Sequence, residues 1–141
     1  MKPVNQAPNS TTTMSIAASA LKAQQARMRI VAENIANADS IGNGPGSDPY
    51  RRQVPVFRAA TVDGATGVKL AEIRKDPKPF GEEFDPSSPA ANAEGYVKKP
   101  NVEMLTETMD MREAQRAYEA NLNVVETARA MTSRTLDILR K

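Results

Sequence analysis

Residues 101–141 read NVEMLTETMDMREAQRAYEANLNVVETARAMTSRTLDILRK, a run of the chain that contains neither glycine nor proline. These two residues are the strongest helix breakers, so the segment is predicted as one uninterrupted helix. Met111, Ala114, Tyr118, Asn121, Val125, Ala128, Thr132, Thr135 and Leu139 recur at alternating intervals of three and four. A second line, Ala117, Val124, Met131 and Ile138, runs beside them at intervals of seven. Two adjoining stripes imply more than one neighbouring helix, because a two-helix hairpin buries only one of them. Asn101, directly after Pro100, is the expected N-cap, with Glu103 and Glu107 placed where the helix dipole favours negative charge. Glu113 with Arg116, Glu126 with Arg129 and Asp137 with Lys141 are expected surface pairs, each contributing about 0.2–0.5 kcal/mol.

At the other end, residues 14–41 also lack both breakers. Ala17, Leu21, Gln24, Met28, Val31, Ile35 and Ala38 fall on one face of a predicted helix roughly 40 Å long. Gln24 interrupts this seam, either to fix its register or to face a wetter part of a wider bundle. Lys22, Arg27 and Arg29 against Glu33 make the helix basic. Its stop is written in Asn34, Asn37, Asp39 and Ser40, residues that favour caps and turns. Residues 1–13, rich in Pro, Asn, Ser and Thr, are expected to be disordered.

All seven glycines and eight of the ten prolines lie between Gly42 and Pro100, so the middle is predicted to be irregular. Val54–Val62 and Val68–Ile73 read as strands joined at Asp63-Gly64, which gives a small hairpin with Pro55 limiting pairing at one edge. The proline-bearing stretch from Asp76 to Pro89 reads as extended loop, and Tyr96–Lys99 as a short third strand. The expected fold is mainly α. Long terminal helices, residues 14–40 and 101–141, pack as one discontinuous antiparallel coiled coil around a small β-containing middle, residues 41–100.

Composition narrows the function. The chain has no histidine and no cysteine, which removes the commonest general base, thiol nucleophiles and thiolate metal sites. Glu82, Glu83 and Asp85 lie beside glycine and proline and read as a solvated acidic turn rather than an acid/base pair. Gly42, Gly44 and Gly46 lack the lysine and helix start of a phosphate loop. No enzyme activity, cofactor or metal is expected. The net charge of +2 and the small cluster Arg51, Arg52 and Arg58 do not make a nucleic-acid surface. No apolar run is long enough to insert into a membrane, and the N-terminus lacks the hydrophobic centre of a secretory signal.

The helix ends carry a resemblance. Asn34-Ile35-Ala36-Asn37-Ala38-Asp39-Ser40 resembles the motif that closes the first helix of flagellar rod and hook proteins, and Arg116-Ala117-Tyr118-Glu119-Ala120-Asn121 resembles their C-terminal signature. Pro49-Tyr50-Arg51-Arg52-Gln53 and Gly95-Tyr96-Val97-Lys98-Lys99-Pro100-Asn101-Val102 are similar to the short, proximal-rod members of that axial family. Asp39-Ser40 stands where the family more often has Asn-Thr.

The resemblance implies a structural subunit of the bacterial flagellar basal body. It would be exported by the flagellar type III apparatus without signal cleavage, and would assemble in the periplasm with copies of itself and other rod proteins into a hollow, torque-transmitting tube joined to the membrane ring and export gate. On this reading the subunit contacts are expected at Leu21, Gln24, Met28, Val31, Asn34, Ile35, Asn37, Arg51, Arg52, Met111, Tyr118, Asn121, Val124, Val125, Met131 and Leu139. The rival reading is a cytosolic helical-hairpin adaptor or export chaperone, which needs only one stripe on its second helix.

Overall fold

The structure, a computed structural model, describes residues 9–140. Two long helices, α1 (Ser10–Ala36) and α2 (Met104–Leu139), enclose in sequence four strands, β1 (Gln53–Val62), β2 (Ala65–Lys75), β3 (Gly81–Phe84) and β4 (Tyr96–Lys99). Helix α1 starts four residues earlier than its seam suggests. Asn9 is the N-cap, its side chain accepting from the Thr12 N–H at 2.8 Å, so the polar run Ser10–Thr13 is a capped first turn and not disordered chain. The remaining part of that expected disordered segment, residues 1–8, lies outside the described residues.

The helices lie side by side, and their pairings run in opposite order. Asn34 meets Glu107, Arg27 meets Asp110 and Glu113, and Thr13 shares a groove with Ala128 and Met131. Ala17, Ala23, Ile30 and Val31 of α1 and Ala114 and Ala128 of α2 are buried, Ala23 on the side of α1 that meets β2. Alanine dominates this seam because small side chains let two helix backbones approach closely. At about 1.5 Å per residue, the 27 residues of α1 give roughly 40 Å and the 36 of α2 roughly 54 Å. The last turns of α2 therefore stand exposed, Ile138 and Leu139 at 73% and 76%.

The start of α2 corrects one expectation. Its N-cap is Glu103, which makes no side-chain capping bond, and the helix begins at Met104. Asn101 is committed elsewhere: its Oδ1 accepts from the Arg52 N–H at 2.7 Å, and its Nδ2 donates to the carbonyls of Asp76 and Lys78. Glu113 pairs with Arg27 across the helices rather than with Arg116, and the Glu126–Arg129 pair is not formed among the described residues. The pair to Lys141 falls outside them.

β1 and β2 form an antiparallel hairpin whose turn has both central residues at positive φ, Asp63 at 48° and Gly64 at 78°. This is the conformation whose twist matches a two-residue hairpin, and glycine enters it without strain. The register shifts between Val56 and Phe57, where Ala71 of β2 is the extra residue.

The hairpin lies along α1. Gln53 at its base touches Asn34, and Asp63 at its tip accepts from the Ser15 hydroxyl. Ten strand residues cover about 33 Å and the helix from Ser15 to Asn34 about 29 Å, so the two lengths match. Gly67 is pressed onto α1, since a Cβ there would come within 2.7 Å of Ser19 Oγ.

The stretch expected to be loop between Asp76 and Pro89 contains a strand. β3 pairs antiparallel with β4, placing Glu82 opposite Lys98 and Phe84 opposite Tyr96, with the two rings edge-on at 5.3 Å. Val97 of β4 is buried, as are Ala90, Pro49 and Pro100 in the flanking segments.

Candidate assembly interface

The C-terminal end of α1, the base of the hairpin and the first turns of α2 converge on one polar cluster. Asn34 sits at its centre, 1% exposed, with its amide fully engaged. Its Oδ1 accepts from the Tyr50 hydroxyl at 2.6 Å and the Gln53 N–H at 2.9 Å. Its Nδ2 donates to the Gln53 carbonyl at 2.9 Å and to Glu107 Oε2 at 3.3 Å. A buried amide has two donors and two acceptor sites, and here all four are used.

Glu107 is fully buried, and an isolated carboxylate in that position would be strongly unfavourable. Arg52 answers it: its Nε donates to Glu107 Oε1, while its terminal nitrogens lie 3.3 Å from Asp76 and 3.6 Å from Asp110. Arg27 approaches Asp110 from α1 at 3.3 Å. Arg51, the neighbour of Arg52, turns the other way, donating to the carbonyls of Asp76 and Lys78 with its guanidinium 4.1 Å from the Phe80 ring centre.

The electrostatics follow from this packing. Burial raises the Tyr50 phenol above its ordinary range, and the charges of Glu33 and Glu107 add to the rise. Burial works to lower Arg52, but the hydrogen bond and charge of Glu107, then those of Asp76, together raise it. Asp76 is held below the usual carboxylate value, first by the Lys78 N–H that it accepts and then, against some desolvation, by Arg52. Each acid is thus matched with a donor, an arrangement that holds three chain segments together. Among the described residues no group of three or more His, Cys, Asp or Glu is placed to hold a metal ion, and no helix is long and apolar enough to cross a membrane.

The residues expected at subunit contacts divide into three groups. Val31 and Asn34 are covered by their own chain, while Asn37, Arg51 and Arg52 are engaged within it; the Asn37 side chain caps its own helix through the Glu33 carbonyl. Leu21, Gln24, Met28, Ile35, Met111, Tyr118, Asn121 and Val125 are half-buried. Asn121 donates to the Ala117 backbone carbonyl of its own helix. Gln24 Oε1 is enclosed without a hydrogen-bond partner among the described residues. Val124, Met131 and Leu139 are exposed at 43%, 56% and 76%. Arg58 points outward, 3.9 Å from Glu72 of the same hairpin.

Sequence reasoning missed Tyr50, Asp76 and Glu107 as members of the cluster. For Glu107 a signal exists. It lies seven residues before Ala114 and fourteen before Asn121, on the stripe that faces α1.

The surface left over is apolar. Ala117, Val124, Met131 and Ile138 form the second stripe of α2, and along it Val124, Ala128 and Met131, with Asn123, Thr127 and Thr13 of α1, line an open groove of about 260 Å³. A contiguous apolar strip on a monomer marks a contact surface.

Comparison with known proteins places these features. The model of the flagella basal body rod protein family matches residues 14–44, covering most of α1 and its stop, and that of the flagellar basal body rod FlgEFG protein C-terminal region matches residues 93–138, covering β4 and α2. The chain is 47% identical over 128 residues to the flagellar basal-body rod protein FlgC of Agrobacterium fabrum, spanning 89% of this chain and 91% of that one. It is 41% identical to the FlgC of Escherichia coli O157:H7 (87% and 92% covered) and 35% identical to that of Bacillus subtilis (89% and 95% covered).

Proposed function

Because the chain belongs to the FlgC family of flagellar basal-body rod proteins, and is a structural subunit of the flagellar basal body rather than an enzyme, we propose a specific mode of assembly for it. The terminal helices, Ser10–Ala36 and Met104–Leu139, act as one discontinuous antiparallel coiled coil. Their uncovered faces pack on neighbouring copies and on other rod proteins, building the proximal rod as a hollow helical tube in the periplasm. Heterologous contacts that do not close into a ring generate such a tube, and torque passes through many packed helices at once. The middle, residues 41–100, braces neighbouring subunits from outside, and the rod so built meets the junction proteins of the membrane ring and export gate. The subunit leaves through the flagellar type III apparatus with its N-terminus uncleaved.

One observation carries the reading: Val124, Met131 and Ile138, a line at intervals of seven, stand 43%, 56% and 73% exposed after α1 has covered the adjoining stripe. The candidate contacts are therefore ranked by what the single chain leaves uncovered, with Val124, Met131 and Leu139 first. Leu21, Gln24, Met28, Ile35, Met111, Tyr118, Asn121 and Val125 line the seam between the helices, and Asn34, Asn37, Arg51 and Arg52 shape the surface from within. The test is a Val124→Asp, Met131→Asp double variant as the sole copy in a motile strain. The variant protein should be made and folded but missing from isolated basal bodies. Normal incorporation and swimming would overturn the reading.

A further inference from the structure

A second groove lies between α1 and β2, on a face of α1 that α2 does not reach. Ala23, Val68 and Leu70 form its apolar floor, Ser19 one wall, and Lys22 and Lys69 its rim, around a space of about 190 Å³. A dry cavity of roughly 150 Å³ holds a benzene-sized group, so this space suits one aliphatic side chain. Neither lysine takes part in an ion pair among the described residues. The groove thus asks for an apolar knob flanked by two acids.

The same chain carries that knob. Leu122 on α2 is 37% exposed, with Glu119 three residues before it and Glu126 four residues after it, both exposed and neither in an ion pair among the described residues. Residues at i, i+3 and i+7 share one helix face, and seven residues set the two carboxylates about 10 Å apart along the axis. No other exposed large apolar residue of α2 has a carboxylate one turn away on each side. The chain cannot fill its own groove, since α2 packs on α1 alone and makes no packing contact with the hairpin.

We propose that the α1/β2 groove of one copy receives the Leu122 flank of α2 from a second copy, with Leu122 on the apolar floor and Glu119 and Glu126 meeting Lys22 and Lys69. The contact is heterologous, groove on one molecule and knob on the next, so repetition propagates it along a filament. The buried leucine supplies most of the adhesion. The four charges select partner and register, because exposed ion pairs add little affinity but like charges repel. This contact rests on the assembly reading above, and uses a face of α2 on the other side of its buried stripe from Val124 and Met131.

The test uses basal bodies isolated from cells whose sole copy of the chain is the variant. Lys22→Glu with Lys69→Glu should lower incorporation by on the order of tenfold, and adding Glu119→Lys with Glu126→Lys should restore it. The absence of cysteine allows a second measurement that keeps the Lys22 and Glu119 charges in place. Lys69→Cys with Glu126→Cys, treated with a short bismaleimide, should give a ladder of linked copies. Lys69→Cys with Asp137→Cys should give none. Reversal that leaves incorporation unchanged, reversal not rescued by the opposite reversal, or no ladder from the first cysteine pair overturns the groove contact. Absence of the unaltered chain from basal bodies would instead overturn the assembly reading itself.

Discussion

The two ends of the helix pair are built on opposite principles. At the hub end Asn34 and Glu107 are 1% and 0% exposed and their polar atoms are all engaged, whereas at the far end Ile138 and Leu139 stand 73% and 76% exposed. The hub is closed: three segments of one chain satisfy each other and leave little for a neighbour. The far end is open, with apolar surface that one chain cannot cover. A subunit that must be rigid and still join others benefits from this division. Polar satisfaction sets the shape of one copy, and on the proposed assembly the uncovered apolar area receives the next.

The contrast is broken most strongly at Arg52. Arg52→Ala leaves the buried Glu107 without its guanidinium, and such loss destabilises by about 3–5 kcal/mol, read as a lower urea midpoint at unchanged slope. Asn34→Ala comes next. It strands the Gln53 backbone and the Tyr50 hydroxyl, and should cost about 2–3 kcal/mol in the same assay.

Acid sharpens the same end. Because Asp76 is held below its usual 3.8, its contribution to stability is present above that value and is lost as the pH falls through the lowered one. Asp76→Asn should therefore be less stable than the parent chain at neutral pH, and the gap should narrow as the pH drops below about 3.8. A gap that stays constant across a urea series from neutral pH to strong acid would remove Asp76 from the hub.

Gln24 bridges the comparison, being a polar atom enclosed in the apolar seam without a partner among the described residues. Gln24→Met should raise stability by about 1 kcal/mol, and a loss would mean that the amide has a role the single chain does not reveal. At the open end the effect on folding should vanish. Val124→Asp and Met131→Asp should each shift stability by no more than about 0.5 kcal/mol in thermal melts, while abolishing incorporation. Substitution of Leu21 or Val125, by contrast, falls on half-buried positions between the helices and would confuse unfolding with failed assembly.

The contrast also marks how far the residues could be read in order along the chain. Both terminal helices and the hairpin turn were legible because their causes are local: a run without breakers, a seam at three and four, and Asp63-Gly64 between β-branched segments. The start of α1 was misread because an Asn9 cap followed by Ser and Thr looks like disordered chain until the helix behind it is seen. β3 was missed because Gly-Glu-Glu-Phe has no strand pattern of its own and is held by pairing with β4. The hub was missed for the same reason at longer range. Asn34 and Glu107 are 73 residues apart, and each is an ordinary helix residue until the other arrives.

By itself the sequence determined that this protein has two long terminal helices and that the second carries two apolar stripes, since periodicity is a property of neighbours three and four residues apart. It also carried the family, through motifs at the helix ends. Only the tertiary structure decided which polar residues are internal supports and which apolar ones remain open. Burial is set by what packs against a residue from far along the chain, so Asn34 and Arg52, expected to face a neighbour, are held inside, and Val124, Met131 and Ile138 are left uncovered.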